Sequence, residues 1–237
     1  MSAAVSMAAG PGPSRHPVLA ILFDVDGTLI TTGGASAVAW RRAFADLYGV
    51  PADIHESTHA GMTDPEVGRL TFKAVLGRDP TPRELAAVMA KRLEHLPDAV
   101  AESTGYRVLP GVAELLPTLV EQGYLLGLTT GLVESAAHIK LARAGLNTYF
   151  HFGGYGSDSP DRTELTRRGI ERASAVLGLP LRRDQVWVVG DTPLDIAAAH
   201  GAGAVAVGVA SGSYRVDELR DAGADHVLPD LTGGLPL

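Results

Sequence analysis

The chain has 237 residues, of which 46% are hydrophobic and 20% charged, so it can bury a sizeable core. Its net charge of −7 is spread along the chain and argues against nucleic acid or an anionic membrane as a partner; its apolar runs are too short to span a bilayer. The absence of cysteine excludes a disulfide framework, a thiol nucleophile and a thiolate metal site. Residues 1–17 lack the basic start and apolar centre of a secretory signal, so we expect a disordered tail on a cytoplasmic protein.

The first predicted element is a strand that begins at Val18 and leads into two aspartates. Its apolar run is typical of a strand buried on both faces of a parallel sheet. Asp24 and Asp26 follow, and on an extended strand they would share one face. Gly27 then permits a sharp turn. Alone, this segment is better explained as a solvated Asp-Gly turn than as a site.

A helical block is predicted between residues 31 and 108, where no strand pattern appears. One apolar face predicts a helix over residues 36–48. Thr-Asp-Pro-Glu at 63–66 predicts a capping box that opens a helix to about Leu76, and Thr-Pro-Arg-Glu at 81–84 predicts another that opens a helix to about His95.

Beyond residue 108, predicted helices and strands alternate. The predicted helices cover residues 112–122, 133–144, 163–177, 193–200 and 216–222. The predicted strands cover residues 124–131, 185–191, 204–209 and 226–228, with a weak, glycine-interrupted strand at 149–155. This alternation implies right-handed crossovers, and the predicted fold class is α/β with a doubly wound, Rossmann-like parallel sheet and an inserted all-helical domain.

A second acidic strand end lies at residues 190–195, Gly-Asp-Thr-Pro-Leu-Asp. Asp191 and Asp195 are four residues apart and can share one side of a helical first turn, although acids there also suit a plain helix start. If this strand lies beside the first one, four carboxylates crowd one crevice. Two unit charges ~4 Å apart repel by about 4 kcal/mol at an effective dielectric constant of ~20. Such a cluster needs protons or a cation, and oxygen ligands alone favour Mg²⁺.

Together these motifs resemble those of the haloacid dehalogenase-like hydrolase superfamily. The order is Asp-Val-Asp-Gly-Thr at 24–28, a strand that ends in Thr-Gly at 130–131, a basic residue, and the segment at 190–195. The resemblance covers nearly all of the chain after the tail. Residues 61–65, Gly-Met-Thr-Asp-Pro, are similar to a segment of the phosphoglycolate-phosphatase-like branch, whose members carry a helical cap.

The resemblance implies a domain division and a role for each acid. The Rossmann-like catalytic core would cover residues 18–31 and 109–237, and the helical cap residues 32–108.

Asp24 would be the nucleophile that forms an aspartyl-phosphate, and Asp26 the general acid for the leaving alcohol and then the base for water. Mg²⁺ would lie on the Asp24 carboxylate, the Asp26 backbone carbonyl and Asp191, with Asp195 as a further ligand or close neighbour.

The resemblance also implies two phosphate contacts, from the Thr130 hydroxyl and the Gly131 N–H. Free N–H groups beside a helix start suit an anion, although threonines can simply finish a strand. Leu132 departs from the family pattern, since asparagine is common there.

The basic residue departs further from that pattern. A lysine is usual, but only Lys140 lies between the second and last motifs, and it falls within a predicted helix. We expect Arg162 to replace it, since a fixed charge and a forked donor suit both phosphate and carboxylate. In the alternative, Arg167 or Arg168 takes this role and Arg162 is solvated.

The predicted function is the Mg²⁺-dependent hydrolysis of a small phosphorylated metabolite. A phosphomutase of the same superfamily, similar to β-phosphoglucomutase, is the first alternative. A dehalogenase is disfavoured because the family's dehalogenases need no Mg²⁺ and generally lack the second acid, Asp26. A non-enzymatic binding module is disfavoured because all four acids are present. The pattern indicates neither the substrate nor an oligomeric state.

Overall fold

The structure is a computed structural model that describes residues 18–237. The predicted tail at 1–17 lies outside the described residues. The strands are β1 (Ala20–Phe23), β2 (Ile30–Thr32), β3 (Tyr106–Val108), β4 (Leu125–Thr130), β5 (Gly153–Tyr155), β6 (Val186–Gly190), β7 (Val205–Val209) and β8 (His226–Leu228). The helices are α1 (Ala35–Tyr48), α2 (Asp64–Leu76), α3 (Pro82–Glu102), α4 (Val112–Glu121), α5 (Glu134–Ala142), α6 (Arg162–Leu177), α7 (Pro193–Ala202) and α8 (Val216–Asp221).

Six strands form one parallel sheet in the order β5-β4-β1-β6-β7-β8. Within β1, Phe23 is paired with Leu128 of β4 and with Val189 of β6. The carboxyl ends of these three strands therefore lie side by side at one edge. The predicted doubly wound α/β fold is confirmed.

The core lies on both faces of the sheet because β1 alternates between two apolar layers. Ile21 and Phe23 pack into the layer that contains α4 and α5. Ala20 and Leu22 pack into the layer that contains α6 and α7. All four side chains are fully buried, as expected for a strand with helices on both sides.

The predicted all-helical insertion is present, and α1, α2 and α3 lie between β2 and β3. We call residues 33–105 the helical insert. Its own apolar cluster includes Trp40, Phe44, Phe72 and Val88. The antiparallel pair β2–β3 joins the insert to the sheet domain, although no strand was predicted there. Each strand of this pair has only three residues, too few to produce a readable alternation.

Several predicted helix boundaries needed correction. The capping box at Thr81 and Glu84 is present, but α3 continues beyond His95 to Glu102 with Pro97 inside it. The capping box predicted at 63–66 was wrong, because Thr63 makes no side-chain cap bond. The strand predicted over 149–155 is shorter, since a 3-10 turn at Leu146–Tyr149 precedes β5. Among residues 18–237, no helix has both the length and the apolar character that a bilayer crossing requires.

Candidate active site

Three aspartates from two neighbouring strand ends meet at the carboxyl edge of the sheet. Asp24 follows β1 directly, and Asp191 follows β6, the neighbour of β1. Asp195 lies in the first turn of α7. One carboxylate oxygen from each residue lies within 4.8 Å of the other two, and all three side chains are buried. The structure thus brings the first and last acidic motifs together, as the sequence predicted.

Burial and mutual repulsion make three free carboxylates unfavourable here. Burial, followed by the charge on Asp195, raises the pKa of Asp24 to about 7. The same two causes, in the same order, raise the pKa of Asp191 to about 9, although the Thr28 hydroxyl donates to its Oδ1 at 3.1 Å. At neutral pH the cluster therefore holds extra protons unless a cation compensates its charge.

The donor atoms of this cluster fit a hard divalent cation. All of them are carboxylate oxygens, without histidine or cysteine. A side chain at Gly27 or Gly212 would overlap the Asp191 carboxylate, so glycine at both positions lets the backbone close around this acid. Gly27 has φ = +85°, a conformation that favours glycine. The strand ends thus form a compact, oxygen-lined site suited to a divalent metal.

Arg162 lies among the acids and also contacts the helical insert. Its guanidinium donates to Asp195 Oδ1, and its Nη2 lies 3.6 Å from Asp24 Oδ1. Its Nη1 donates to the Gly61 carbonyl of the insert at 2.8 Å. Asp195 Oδ2 accepts from the N–H and hydroxyl of Thr192 at 3.0 and 2.7 Å. Both oxygens of Asp195 therefore have protein donors, which favours a place beside the metal over direct ligation.

The two alternative arginines lie elsewhere. Arg167 and Arg168 both pair with Glu164 on the exposed face of α6. Of the three candidates that the sequence left open, the structure brings only Arg162 to the aspartates.

Asp26 does not join the carboxylate cluster. The backbone leaves the strand after Phe23, so the alternation expected of an extended strand ends before Asp26. Its side chain is 41% exposed and pairs with the Nζ of Lys140, whose side chain is fully buried. The expected crowding of four carboxylates thus involves three, with the fourth turned to a cation.

Lys140 is a site residue that the sequence analysis set aside. It lies on α5, three and four residues after the buried side chains of Ala137 and Ala136. That spacing places it on the apolar face of the helix, where a lysine needs an anionic partner. A lone lysine on an otherwise apolar helix face was the signal that could have identified it.

Thr130 and Gly131 lie against the insert. Thr130 is buried, and its hydroxyl oxygen accepts from the Leu132 N–H at 3.3 Å. A Cβ on Gly131 would lie 2.5 Å from the Met62 carbonyl oxygen, so glycine permits the insert to pack directly on this turn. The Gly131 carbonyl also accepts from the Asp64 N–H at 2.7 Å.

A cavity of about 430 Å³ opens between the aspartates and the insert. Asp24, Asp26, Thr130, Gly131 and Arg162 line its floor. The insert contributes apolar and polar residues to the other side of the cavity: Trp40, Ile54, His55, Thr58, His59, Met62, Asp64 and Val67. These five predicted site residues therefore face an open cavity large enough for a small organic molecule, whereas Asp191 and Asp195 do not line it.

The Asp64 carboxylate fastens the insert to the sheet domain. Its Oδ2 accepts from Arg92 Nη1 of α3 at 2.8 Å and from the Val133 N–H at 2.9 Å. Asp64 is nearly buried, Arg92 is fully buried, and the guanidinium of Arg92 also lies over the Trp40 ring. One buried acid thus connects the helical insert with the turn that carries Gly131.

We expect Asp64→Ala to lower the free energy of unfolding by about 3–5 kcal/mol, because it leaves the Arg92 guanidinium buried without its carboxylate. Urea unfolding measured by circular dichroism would show the loss. Asp79→Ala is the matched control, since Asp79 pairs with Arg69 at 3.0 Å on the exposed surface and should change little. Equal effects of the two substitutions would contradict this role for Asp64.

Comparison with known proteins identifies the family. A model of haloacid dehalogenase-like hydrolases matches residues 18–203. The chain belongs to the haloacid dehalogenase-like hydrolase family. The family that the motifs at 24–28 and 190–195 predicted is thereby confirmed, and the chain is an enzyme of the hydrolase class.

Relatives of this hydrolase extend over most of its length. It is 32% identical over 222 residues to a phosphoglycolate phosphatase of Rhodospirillum rubrum, covering 90% of this chain and 87% of that one. It is 30% identical over 227 residues to 2-deoxyglucose-6-phosphate phosphatase 1 of Saccharomyces cerevisiae, covering 89% and 87%. The crystal structure of a hydrolase from Pseudomonas syringae superposes with a TM-score of 0.68 at 25% identity, covering 90% and 94%. The predicted phosphoglycolate-phosphatase-like branch is therefore confirmed.

Proposed function

We propose that this hydrolase is a Mg²⁺-dependent phosphatase of small phosphomonoesters that acts through an aspartyl-phosphate on Asp24. The observation that carries the proposal is that Asp24 lines the cavity and lies close to Asp191, Asp195 and the guanidinium of Arg162. A nucleophilic carboxylate beside a metal site and a fixed cation suits attack on a phosphoryl group.

In the first step, a carboxylate oxygen of Asp24 attacks phosphorus while the bond from phosphorus to the ester oxygen breaks. Asp26 gives its proton to that departing oxygen, so the alcohol leaves neutral. In the second step, Asp26 takes a proton from water, which attacks the aspartyl-phosphate and releases inorganic phosphate. Both acids line the same cavity, as this sequence of steps requires.

The remaining site residues would bind the phosphate group and the metal ion. Thr130, the Gly131 N–H and Arg162 would bind the phosphate oxygens, since they lie together on the cavity floor. Asp24, Asp191 and the backbone carbonyl of Asp26 would hold Mg²⁺, whose charge offsets the repulsion between the nucleophile and the phosphate.

The upper part of the cavity favours an uncharged organic group on the substrate. Among the described residues that line the cavity, Arg162 is the one arginine or lysine, and its guanidinium would already be paired with the phosphate. The insert offers His55, Thr58 and His59 as polar contacts beside an apolar wall. These donors suit the hydroxyl groups of a sugar or polyol phosphate better than a second anionic group. The name of the yeast relative, a 2-deoxyglucose-6-phosphate phosphatase, agrees with this chemistry.

A phosphate-release screen tests the function. The purified chain is offered a panel of sugar, polyol and carboxylate-bearing phosphomonoesters, with Mg²⁺ and with excess chelator. We expect steady release of inorganic phosphate with Mg²⁺, and a higher kcat/KM for neutral sugar phosphates than for phosphoglycolate. Interconversion of sugar phosphates without net phosphate release would favour a phosphomutase instead.

We expect Asp26→Asn to lower kcat/KM for an alkyl phosphate by about 10²–10⁴-fold, because the poor leaving group needs a proton. For p-nitrophenyl phosphate the loss should be much smaller, since its phenolate departs without one. Initial rates with both substrates provide the comparison. Equal losses on the two esters would argue against Asp26 as the general acid.

A further inference from the structure

Lys140 pairs with only one oxygen of the Asp26 carboxylate. Its Nζ donates to Oδ2 from a side chain that has no solvent exposure. The other oxygen, Oδ1, is buried and has no hydrogen-bond partner among the described residues. Asp26 also lines the cavity beside Asp24. The carboxyl group is thus fixed at one end and left unengaged at the other.

Stability alone is a weak reason to bury a lysine here. Removing an ammonium from water costs several kcal/mol, and a well-packed apolar side chain is often an equal or better replacement. The neighbouring positions on this helix face, Ala136, Ala137 and Leu141, are apolar and buried. An apolar residue at position 140 would continue that face. We therefore relate the charge of Lys140 to its partner, Asp26, rather than to the packing of the helix.

The backbone around Lys140 is itself held in place. The Tyr106 hydroxyl donates to the Lys140 carbonyl at 2.8 Å, and the Arg143 guanidinium lies over the Tyr106 ring. Tyr106 belongs to β3, and Asp26 forms a bridge with Ile30 of β2. Both partners of the ion pair are therefore attached to the β2–β3 ribbon that leads into the helical insert.

We propose that Lys140 is a positioning residue for the acid–base step. Its ion pair with Oδ2 fixes the orientation in which the Asp26 carboxyl group gives a proton to the leaving alcohol and later takes one from water. This role rests on the proposed phosphatase function, and Lys140 itself is not among the residues that line the cavity.

The test compares kcat/KM on two esters in the intact protein with Mg²⁺. Lys140→Met keeps the length and helix preference of the side chain but removes its charge. We expect a loss of about 10- to 100-fold on an alkyl phosphate and less than about 3-fold on p-nitrophenyl phosphate, a fraction of the 10²–10⁴ that general acid catalysis supplies. Lys73→Met is the matched control, because Lys73 lies on the exposed surface of α2, and both esters should be unaffected.

The Asp26→Asn background separates positioning from general damage. If Lys140 acts through Asp26, Lys140→Met should cause no further loss on the alkyl phosphate there, whereas a structural defect would lower activity again. Equal losses on both esters, no loss, or an additive loss in the double variant would overturn the role. Lys140→Gln provides the same readout if Lys140→Met does not fold. Failure of the unmodified protein to release phosphate would instead overturn the function itself.

Discussion

Asp24→Asn is expected to abolish phosphate release, with a loss on the order of 10⁴-fold or more, as for other enzymes that lose a nucleophile. Asparagine keeps the shape of the side chain but lacks the carboxylate that would attack phosphorus. Unlike the Asp26 substitution, this loss should be the same for alkyl and aryl phosphates, since both must form the covalent intermediate. Single-turnover and steady-state phosphate release measure it.

The same substitution should leave the fold intact. Burial raises the pKa of Asp24 to about 7, so its ionisation works against the folded state. Without metal at pH 8, Asp24→Asn should therefore melt at the same temperature as the unmodified chain or higher. Asp79→Asn, an exposed acid, is the activity control and should turn over normally. Near-normal activity in Asp24→Asn would remove Asp24 as the nucleophile.

Removal of divalent cations is expected to stop turnover and to lower the melting temperature, more strongly as the pH rises. The pKa values of Asp24 and Asp191 are raised to about 7 and about 9, so the metal-free folded state holds protons that the unfolded chain has released. Their stabilising contribution is complete below the ordinary carboxyl pKa near 3.8 and is lost progressively as the pH rises toward 7 and 9.

Mg²⁺ should reverse this loss of stability because its charge takes the place of the protons on the carboxylates. At about 100 times its dissociation constant, a ligand adds about 2.7 kcal/mol to the free energy of unfolding. Melting curves at pH 5.5 and 8.5, with Mg²⁺ and with chelator, should show that Mg²⁺ raises the melting temperature more at pH 8.5. Asp191→Asn should abolish most of that rise. Activity that persists in excess chelator would refute the metal requirement.

Much of the fold was readable because its signals are local. The apolar run before Asp24 and the Gly-Asp end of β6 each predict a buried strand, and the alternation between them predicts the parallel sheet. Alternation does not fix the strand order, so the adjacency of β1 and β6 was only a condition of the prediction; the sheet order fulfils it and brings Asp24 to Asp191. The ribbon β2–β3 could not, because three-residue strands carry no readable period.

The position of the second acid depended on long-range geometry. The orientation of Asp26 is set after the strand ends, by a bridge to Ile30 and by Lys140, more than a hundred residues away along the chain. No spacing rule connects Asp26 with Lys140. The role of Asp64 could not be predicted either, because its sequence context indicates only a helix start. In the structure its carboxylate joins the helical insert to the sheet domain.

The contact between Arg162 and the Gly61 carbonyl couples two equilibria. The guanidinium that would bind the phosphate also donates a hydrogen bond to the insert, at the Gly61 carbonyl. A bound phosphate competes with Gly61 for these donors or reinforces the same arrangement, and linkage requires that insert docking change phosphate affinity by the same factor. Bound inorganic phosphate would therefore shift the docking equilibrium of the insert by that same factor.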